Sequence, residues 1–275
     1  MHLNGVKRHL SLTERDKQVL LSLYFSKCLT SHQIRDLHFQ GLGQAEVVCR
    51  RRLRSMFDDL LIDRFFVDVG EGNGTSPQHV VLDELGAKVV AGLLGEKHLS
   101  RIKWSRDMKD SIPLYAAHIT GYNQYWLDNV LRARELGHEV TDFRSETFLF
   151  CPFHYRNRDY HFTPDARFTY WAGEEGLDVL LEWDRGTMGP KAFKEKVGRY
   201  EAFYLSGEYE ARLETDTFPL IITVAPDWER CERLKRVVEE TGDLHLIWRF
   251  TVPSELIFEG VAMEAGIEET VRIFE

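Results

Sequence analysis

The apolar pattern changes period once within the first 82 residues, from helical to strand-like, and that change restricts the folds open to the chain. Residues 11–25, SLTERDKQVLLSLYF, predict a helix. Thr13 can cap it, Glu14 and Asp16 suit its first turn, and Val19, Leu20, Leu23 and Tyr24 recur at helical spacing. Thr30 or Ser31 can cap a second, short helix ending near Leu37, and Phe39–Gly43 reads as a loop. A third helix is expected from about Gln44 to Leu60, with Val47, Val48, Leu53, Phe57 and Leu60 turned inward. Residues 61–69 and 78–82 then have strand character around GEGNG at 70–74, which predicts a hairpin with a glycine-rich tip.

A further amphipathic helix over Asp83–Leu94, stopped by Gly95, completes the order of a winged helix, a variant of the helix-turn-helix. In that arrangement the third helix enters the major groove. Here it carries Arg50, Arg51, Arg52 and Arg54, four cations in five positions. Arg50 and Arg54 are four apart and share a face, Arg51 flanks them, and an arginine fork can bind guanine or phosphate bidentately. The four arginines are therefore the DNA-binding candidates, the alternative being a solvated cationic face. The hairpin tip carries Glu71 and no cation, which speaks against its contacting a phosphate backbone.

The basic run stands out because the whole chain is acidic, with a net charge of −9. A basic patch on an acidic protein is a local site and not a global field, which counts against a simple nucleic-acid coat protein. With 43% hydrophobic residues the 275-residue chain can bury a sizeable core. It has no stretch approaching the roughly 20 apolar residues that span a bilayer. The first 16 residues contain no apolar segment of the secretory kind, so a cytoplasmic location without membrane is expected. Cys28, Cys49, Cys151 and Cys231 are scattered with no CxxC pair, which predicts free thiols and no cysteine-based zinc site.

Residues 95–113 are polar and charged and end at Pro113. They divide the chain into a domain over 1–98, a linker over 99–111 and a second domain over 112–275. The second half alternates in class. Helices are expected at about 116–136, stopped by Gly137, at 190–205 and at 228–241. Strands are expected at 139–150, 162–170, 178–183, 218–224 and 244–251. This predicts an α/β domain around a mixed sheet.

Two carboxylates sit at strand ends in that half: Asp165 in Thr-Pro-Asp-Ala, and Glu182 in Leu-Leu-Glu-Trp-Asp184. Carboxylates converging from adjacent strands can bind a hard divalent cation, Mg2+ or Mn2+, which polarises a phosphate and activates water. Asp165, Glu182 and Asp184 are thus the candidate metal ligands and catalytic carboxylates. Glu146 is a further carboxylate at an expected strand end, and His118 near a helix start could face the site. The remaining histidines lack zinc-binding spacing, and no phosphate-cradling GxxxxGK[ST] loop exists.

Pro164-Asp165 followed by Glu182-Trp-Asp184 resembles the PD-(D/E)xK nucleases, and the resemblance implies a restriction-endonuclease-like domain. Position 184 departs from the pattern, which has lysine there. Lys191, Lys194 and Lys196 on the next helix can supply the charge from a migrated position. Lys196 is the candidate, since it lies four residues before Tyr200 on one side of that helix. Taken in order, LTERDKQVLLSLY, RRRLRSMFDDLLIDRFF, HVVLDELGAKVV, TPDARF, LLEWDRGT and the Lys–Tyr helix resemble the replication-relaxation family over about residues 11–255. That likeness implies a role in replication and relaxation of plasmids or integrative elements. The implied partners are double-stranded DNA and replication or mobilisation proteins, with a homodimer if the DNA site is two-fold symmetric. Three functions stay open: a DNA-binding accessory protein with a degenerate nuclease domain, an active magnesium-dependent endonuclease or nickase, and a transcription regulator with a non-catalytic second domain.

Overall fold

The computed structural model describes residues 11–68, 76–241 and 246–274. The protein is a mixed α/β chain in two compact units, Met1–Ala116 and Ala117–Glu275.

In the first unit, helix α1 (Glu14–Ser26) starts at a capping box. The Thr13 hydroxyl accepts from the Asp16 backbone N–H, and the Asp16 side chain accepts from the Thr13 backbone N–H. Strand β1 (Leu29–Thr30) leads into α2 (Ser31–His38), capped the same way by Thr30 and Gln33. Helix α3 (Ala45–Asp58) is followed by strands β2 (Ile62–Phe65) and β3 (His79–Leu82) and helix α4 (Glu84–Leu93). The three strands form an antiparallel sheet in the order β1-β3-β2. The GEGNG tip lies outside the described residues.

Helix α3 buries Cys49, Leu53 and Met56, spaced i, i+4, i+7. This corrects the inward stripe expected from sequence: Val47 is 45% exposed and Leu60 is 63% exposed. Leu60 lies beyond the helix in a left-handed conformation, φ 58°, so it does not continue the helical stripe. Leu61, next along, is fully buried in its place.

The stretch 99–111, expected as a linker, is structured. A 3-10 turn spans Leu99–Arg101, and a 31-residue helix, α5 (Arg106–Leu136), begins within the stretch and continues past Pro113. Its charges have partners distant in sequence. Lys109 Nζ donates to Asp63 at 2.8 Å and Asp83 at 3.5 Å, and Arg106 donates to Glu84 at 3.0 Å. Paired charge looks like linker composition when read one residue at a time.

In the second unit, β4 (Glu139–Ser145), α6 (Glu146–Leu149) and a two-stranded hairpin, β5 (Cys151–Tyr155) and β6 (Arg158–Phe162), precede β7 (Ala166–Ala172) and β8 (Glu175–Trp183). Helices α7 (Pro190–Ser206) and α8 (Glu208–Leu213), strand β9 (Leu220–Val224), helix α9 (Trp228–Glu239) and strands β10 (Trp248–Thr251), β11 (Val261–Glu264) and β12 (Thr270–Arg272) complete it. Seven strands make one mixed sheet in the order β12-β11-β10-β9-β8-β7-β4. Strands β8, β9 and β10 run parallel and the outer pairs are antiparallel. The parallel centre explains the unbroken apolar runs: all five residues of β9 are buried, as expected of strands covered on both faces. The expected strand at 139–150 ends at Ser145, where α6 begins, and the one at 162–170 is two strands separated by Thr163–Asp165.

Arg52, one of the four arginines expected at DNA, is turned inward. Its guanidinium forks onto Asp16, both contacts 2.6 Å, and Asp16 is 1% exposed. Burial would raise the Asp16 carboxyl, but the Arg52 fork and the Thr13 donors hold it below the ordinary carboxylate range. Arg52→Ala leaves that buried charge without its partner and is expected to cost about 3–5 kcal/mol. Arg51→Ala, on an exposed position, should change stability by no more than about 0.5 kcal/mol. Because the folded carboxyl is depressed, the stabilisation is present above pH 3.8 and lost as pH falls through the folded value. Chemical denaturation of the two variants at pH 7 and pH 3 measures both effects.

Candidate functional site

The second unit's site is built around the end of β8. The register that sets Ala166 opposite Leu181 brings Asp165, just before β7, alongside Glu182. Asp165 is fixed from two sides. Its Oδ2 accepts from the Trp183 backbone N–H at 2.8 Å, and its Oδ1 is 3.0 Å from His118 Nε2 on α5. Gly121, one turn on from His118, permits this approach. A Cβ there would lie 2.5 Å from the Trp183 ring nitrogen, so any side chain would displace the Trp183 ring from its seat against α5.

Glu182 is 2% exposed, and both its oxygens are taken by α7: Lys196 Nζ donates to one and the Tyr200 hydroxyl to the other. The rotation of α7 is set by its apolar stripe. Pro190 starts the helix and Phe193, Val197 and Phe203 are buried, which carries Lys196 and Tyr200 onto the same side, facing β8. Their spacing of four residues was legible in the sequence, and the structure brings both to one carboxylate.

The two carboxyls are driven apart in acidity. Burial pushes Glu182 up to about 7; the Asp165 charge adds to the rise, while Lys196 and Tyr200 oppose it. Burial would also raise Asp165, but Lys196, His118 and the Trp183 N–H bring it below the ordinary range. Burial alone would lower Lys196 and His118, yet the facing carboxylates raise both. Tyr200 is raised well above the ordinary tyrosine value by burial and by Glu182.

Asp184 is not brought to this group. It is 8% exposed and forks with Arg230 on α9, at 2.7 and 3.0 Å. Arg230 also donates to the Met188 carbonyl at 2.7 Å, so the pair pins the loop between β8 and α7. Glu146 accepts from Tyr122 at 2.7 Å and its charge reaches His118, but it does not bond to Asp165 or Glu182. Lys191 and Lys194 are exposed on the outer side of α7. Among the described residues no three His, Cys, Asp or Glu side chains are grouped as a metal site. The donors that could hold a metal are thus the Asp165 and Glu182 oxygens, a hard set suited to magnesium or manganese with most remaining positions filled by water. All four cysteines are free and buried, and burial pushes the thiols of Cys28 and Cys231 up to about 12, so neither is a nucleophile.

In the first unit, the arginines of α3 separate. Arg50 and Arg54 line a concave groove of about 350 Å³ together with Arg35, Arg64 and His32. Arg51 lines a different concavity, beside Arg52 and Asp16. Arg35 and Arg64, which sequence reasoning missed, come from α2 and β2 and carry no local signal.

The fold and site define a mixed α/β protein with a buried carboxylate met by lysine and tyrosine. The family described as replication-relaxation matches residues 20–221, and the chain belongs to it. No curated protein and no solved structure matches the chain. Among the described residues no helix is long and apolar enough to cross a membrane.

The Asp184–Arg230 pair is expected to be structural. Arg230→Ala should destabilise the protein by about 3–5 kcal/mol through the unpaired buried carboxylate. The double change Asp184→Leu, Arg230→Met should recover much of that loss, because it removes both charges. Denaturant unfolding of the single and double variants measures this.

Proposed function

We propose that the chain is a DNA-binding protein of replication or relaxation whose second unit is a nuclease-like domain that nicks DNA. The observation that carries the reading is the convergence of Lys196 and Tyr200 on Glu182 with Asp165 alongside. Further support comes from the element order, since a helix, three antiparallel strands, a helix and a parallel strand (α5, β4, β7, β8, α7, β9) form the centre of the unit. The lysine absent at position 184 has a counterpart in Lys196, reaching in from the next helix. For the first unit, the order α1, β1, α2, α3, β2, β3, α4 supports a winged helix-turn-helix, with the groove of Arg50 and Arg54 facing duplex DNA.

A divalent cation held by Asp165 and Glu182 would supply polarisation of a phosphate oxygen and a bound water of lowered pKa. His118 and the Trp183 N–H orient the Asp165 carboxylate, and Tyr200 orients Glu182. Lys196, kept charged by the two carboxylates, offsets negative charge developing on the phosphate. Asp184 has no ligand role in this reading. A second reading, an accessory protein that binds DNA without cutting it, is favoured by one observation: Glu182 is occupied by Lys196 and Tyr200 and is pushed up to about 7, and both disfavour a cation.

Conversion of supercoiled plasmid to open circles with and without magnesium separates the two readings. The nicking reading expects magnesium-dependent open circles and a loss of about 100-fold or more in Lys196→Met. Magnesium at tenfold its Kd should also stabilise the protein by about 1.4 kcal/mol, a thermal shift of a few degrees. Asp165→Asn with Glu182→Gln should abolish that shift. Neither nicking nor a shift in the wild type leaves the accessory reading.

DNA binding is tested separately. Replacing Arg50, Arg51 and Arg54 by alanine should weaken duplex binding and lower the log–log salt slope by about 0.9 for each phosphate no longer neutralised. An unchanged affinity and slope in the folded variant would show that α3 does not face DNA.

A further inference from the structure

The carboxylate pair has a cavity beside it that the proposed nicking chemistry does not use. It measures about 200 Å³ and is lined by His161 and Thr163, by Met188, and by Lys196 and Arg199 of α7. Water occupies about 30 Å³ in the liquid, so the space admits a larger polar group with some of its hydration. Three features of its wall point to an anion.

First, Lys196 is shared. It lines the cavity and also donates to Glu182, so whatever fills the cavity lies next to the carboxylate pair. Second, Arg199 is half-buried and forms no ion pair among the described residues, although it is close enough for its charge to lower Lys196. Lys196 is balanced by Glu182 and Asp165; Arg199, three residues along the same helix face, has no such balance. Third, the Thr163 hydroxyl is buried without a hydrogen-bond partner. A buried hydroxyl left unsatisfied costs on the order of 1–3 kcal/mol, so an acceptor at the cavity is favoured. An arginine fork, a hydroxyl donor and an ammonium around one space suit a tetrahedral oxyanion bound bidentately by the fork.

We propose that this cavity seats a backbone phosphate of the DNA strand that enters the Asp165–Glu182 site, with Arg199 as its main ligand and Thr163 as its second donor. The inference rests on the nuclease-like reading for the identity of the strand, but not on cleavage. The seated phosphate neighbours the one at the carboxylates and fixes the strand's register there. Met188 lines the cavity, and its backbone carbonyl accepts from Arg230, which forks with Asp184. The residue where the nuclease pattern has lysine therefore shapes the seat.

The test uses the full chain with Arg50, Arg51 and Arg54 replaced by alanine, so that the first unit's arginines do not mask the contact. Binding of a ten-nucleotide single strand is measured in EDTA, so a protein that does not cut still reports. Arg199→Gln should weaken binding about 10- to 30-fold, as for loss of a charge-assisted pair, and lower the log–log salt slope by about 0.7. Arg199→Lys should keep the slope, and Thr163→Val should weaken binding about 3- to 10-fold.

Replacing the strand's phosphates one at a time by methylphosphonate gives a readout that misfolding would not mimic. One position should cost about tenfold in the Arg199 protein and nothing in Arg199→Gln. Identical methylphosphonate profiles in the two proteins would overturn the proposal, as would no measurable binding of the strand. Inorganic phosphate that binds through Arg199 without displacing the strand would overturn it too, by assigning the cavity to a free anion. Magnesium-dependent nicking with identical profiles sinks the seat alone. An Arg199-dependent profile without nicking upholds the seat and sinks cleavage.

Discussion

A carboxylate buried at the end of an interior strand of the mixed sheet is the constraint on which the second unit's arrangement depends. Glu182 sits at the end of β8, which is flanked by β7 and β9, and it is nearly excluded from water. A charge there is costly unless it is met by donors, and both donors come from one helix. The loop from Asp184 to Gly189 must therefore deliver α7 at one height and rotation, and the Asp184–Arg230 fork holds that loop from the other side. The apolar stripe of α7 and the polar pair Lys196–Tyr200 are two faces of one requirement. The stripe decides how the helix lies, and the polar pair then reaches β8 without freedom to move elsewhere.

The acidic balance of the chain hides a division of labour among its cations. Arg52, Arg230 and Lys109 are each turned to buried or half-buried carboxylates far away in sequence, and each holds two elements together. Arg50 and Arg199 have no carboxylate partner among the described residues and line concave surfaces. Net charge cannot separate these groups, because a cation that neutralises a buried carboxylate and one that awaits a phosphate count alike. Geometry separates them: a structural arginine forks onto a carboxylate at 2.6–3.0 Å, as Arg52 and Arg230 do.

Much of the site was legible before the fold was known. Asp165 and Glu182 stood out as carboxylates at expected strand ends, in an order that resembles the PD-(D/E)xK pattern. Lys196 and Tyr200 followed from a spacing of four on a helix; His118 was expected near the start of a helix at about 116, but α5 begins at Arg106 and His118 meets Asp165 from its middle. Arg199 and Arg230 were not legible. Each lies on an amphipathic helix among other charged residues, and its significance is a partner, or the lack of one, dozens of residues away. Asp184 was misplaced for a related reason. Alternation along a strand puts it on the face of Glu182, but β8 ends at Trp183 and the chain turns there, carrying Asp184 to α9.

The sequence by itself determined much of the local structure: the cap at Thr13, a second cap at Thr30 or Ser31, the helical stripe of α1, the apolar runs of the parallel strands, and the pair of carboxylates at strand ends. These depend on neighbours within about four residues, and such interactions are written in the order of side chains. Tertiary structure decided which charges meet. It turned Arg52 away from the surface onto Asp16, made a helix of a stretch that composition marks as linker, and joined Asp184 to Arg230 across 46 residues. The reason is that a hydrogen-bonded ion pair is set by where whole elements come to rest in the packed core, and that position is a property of the fold and not of any local run of residues.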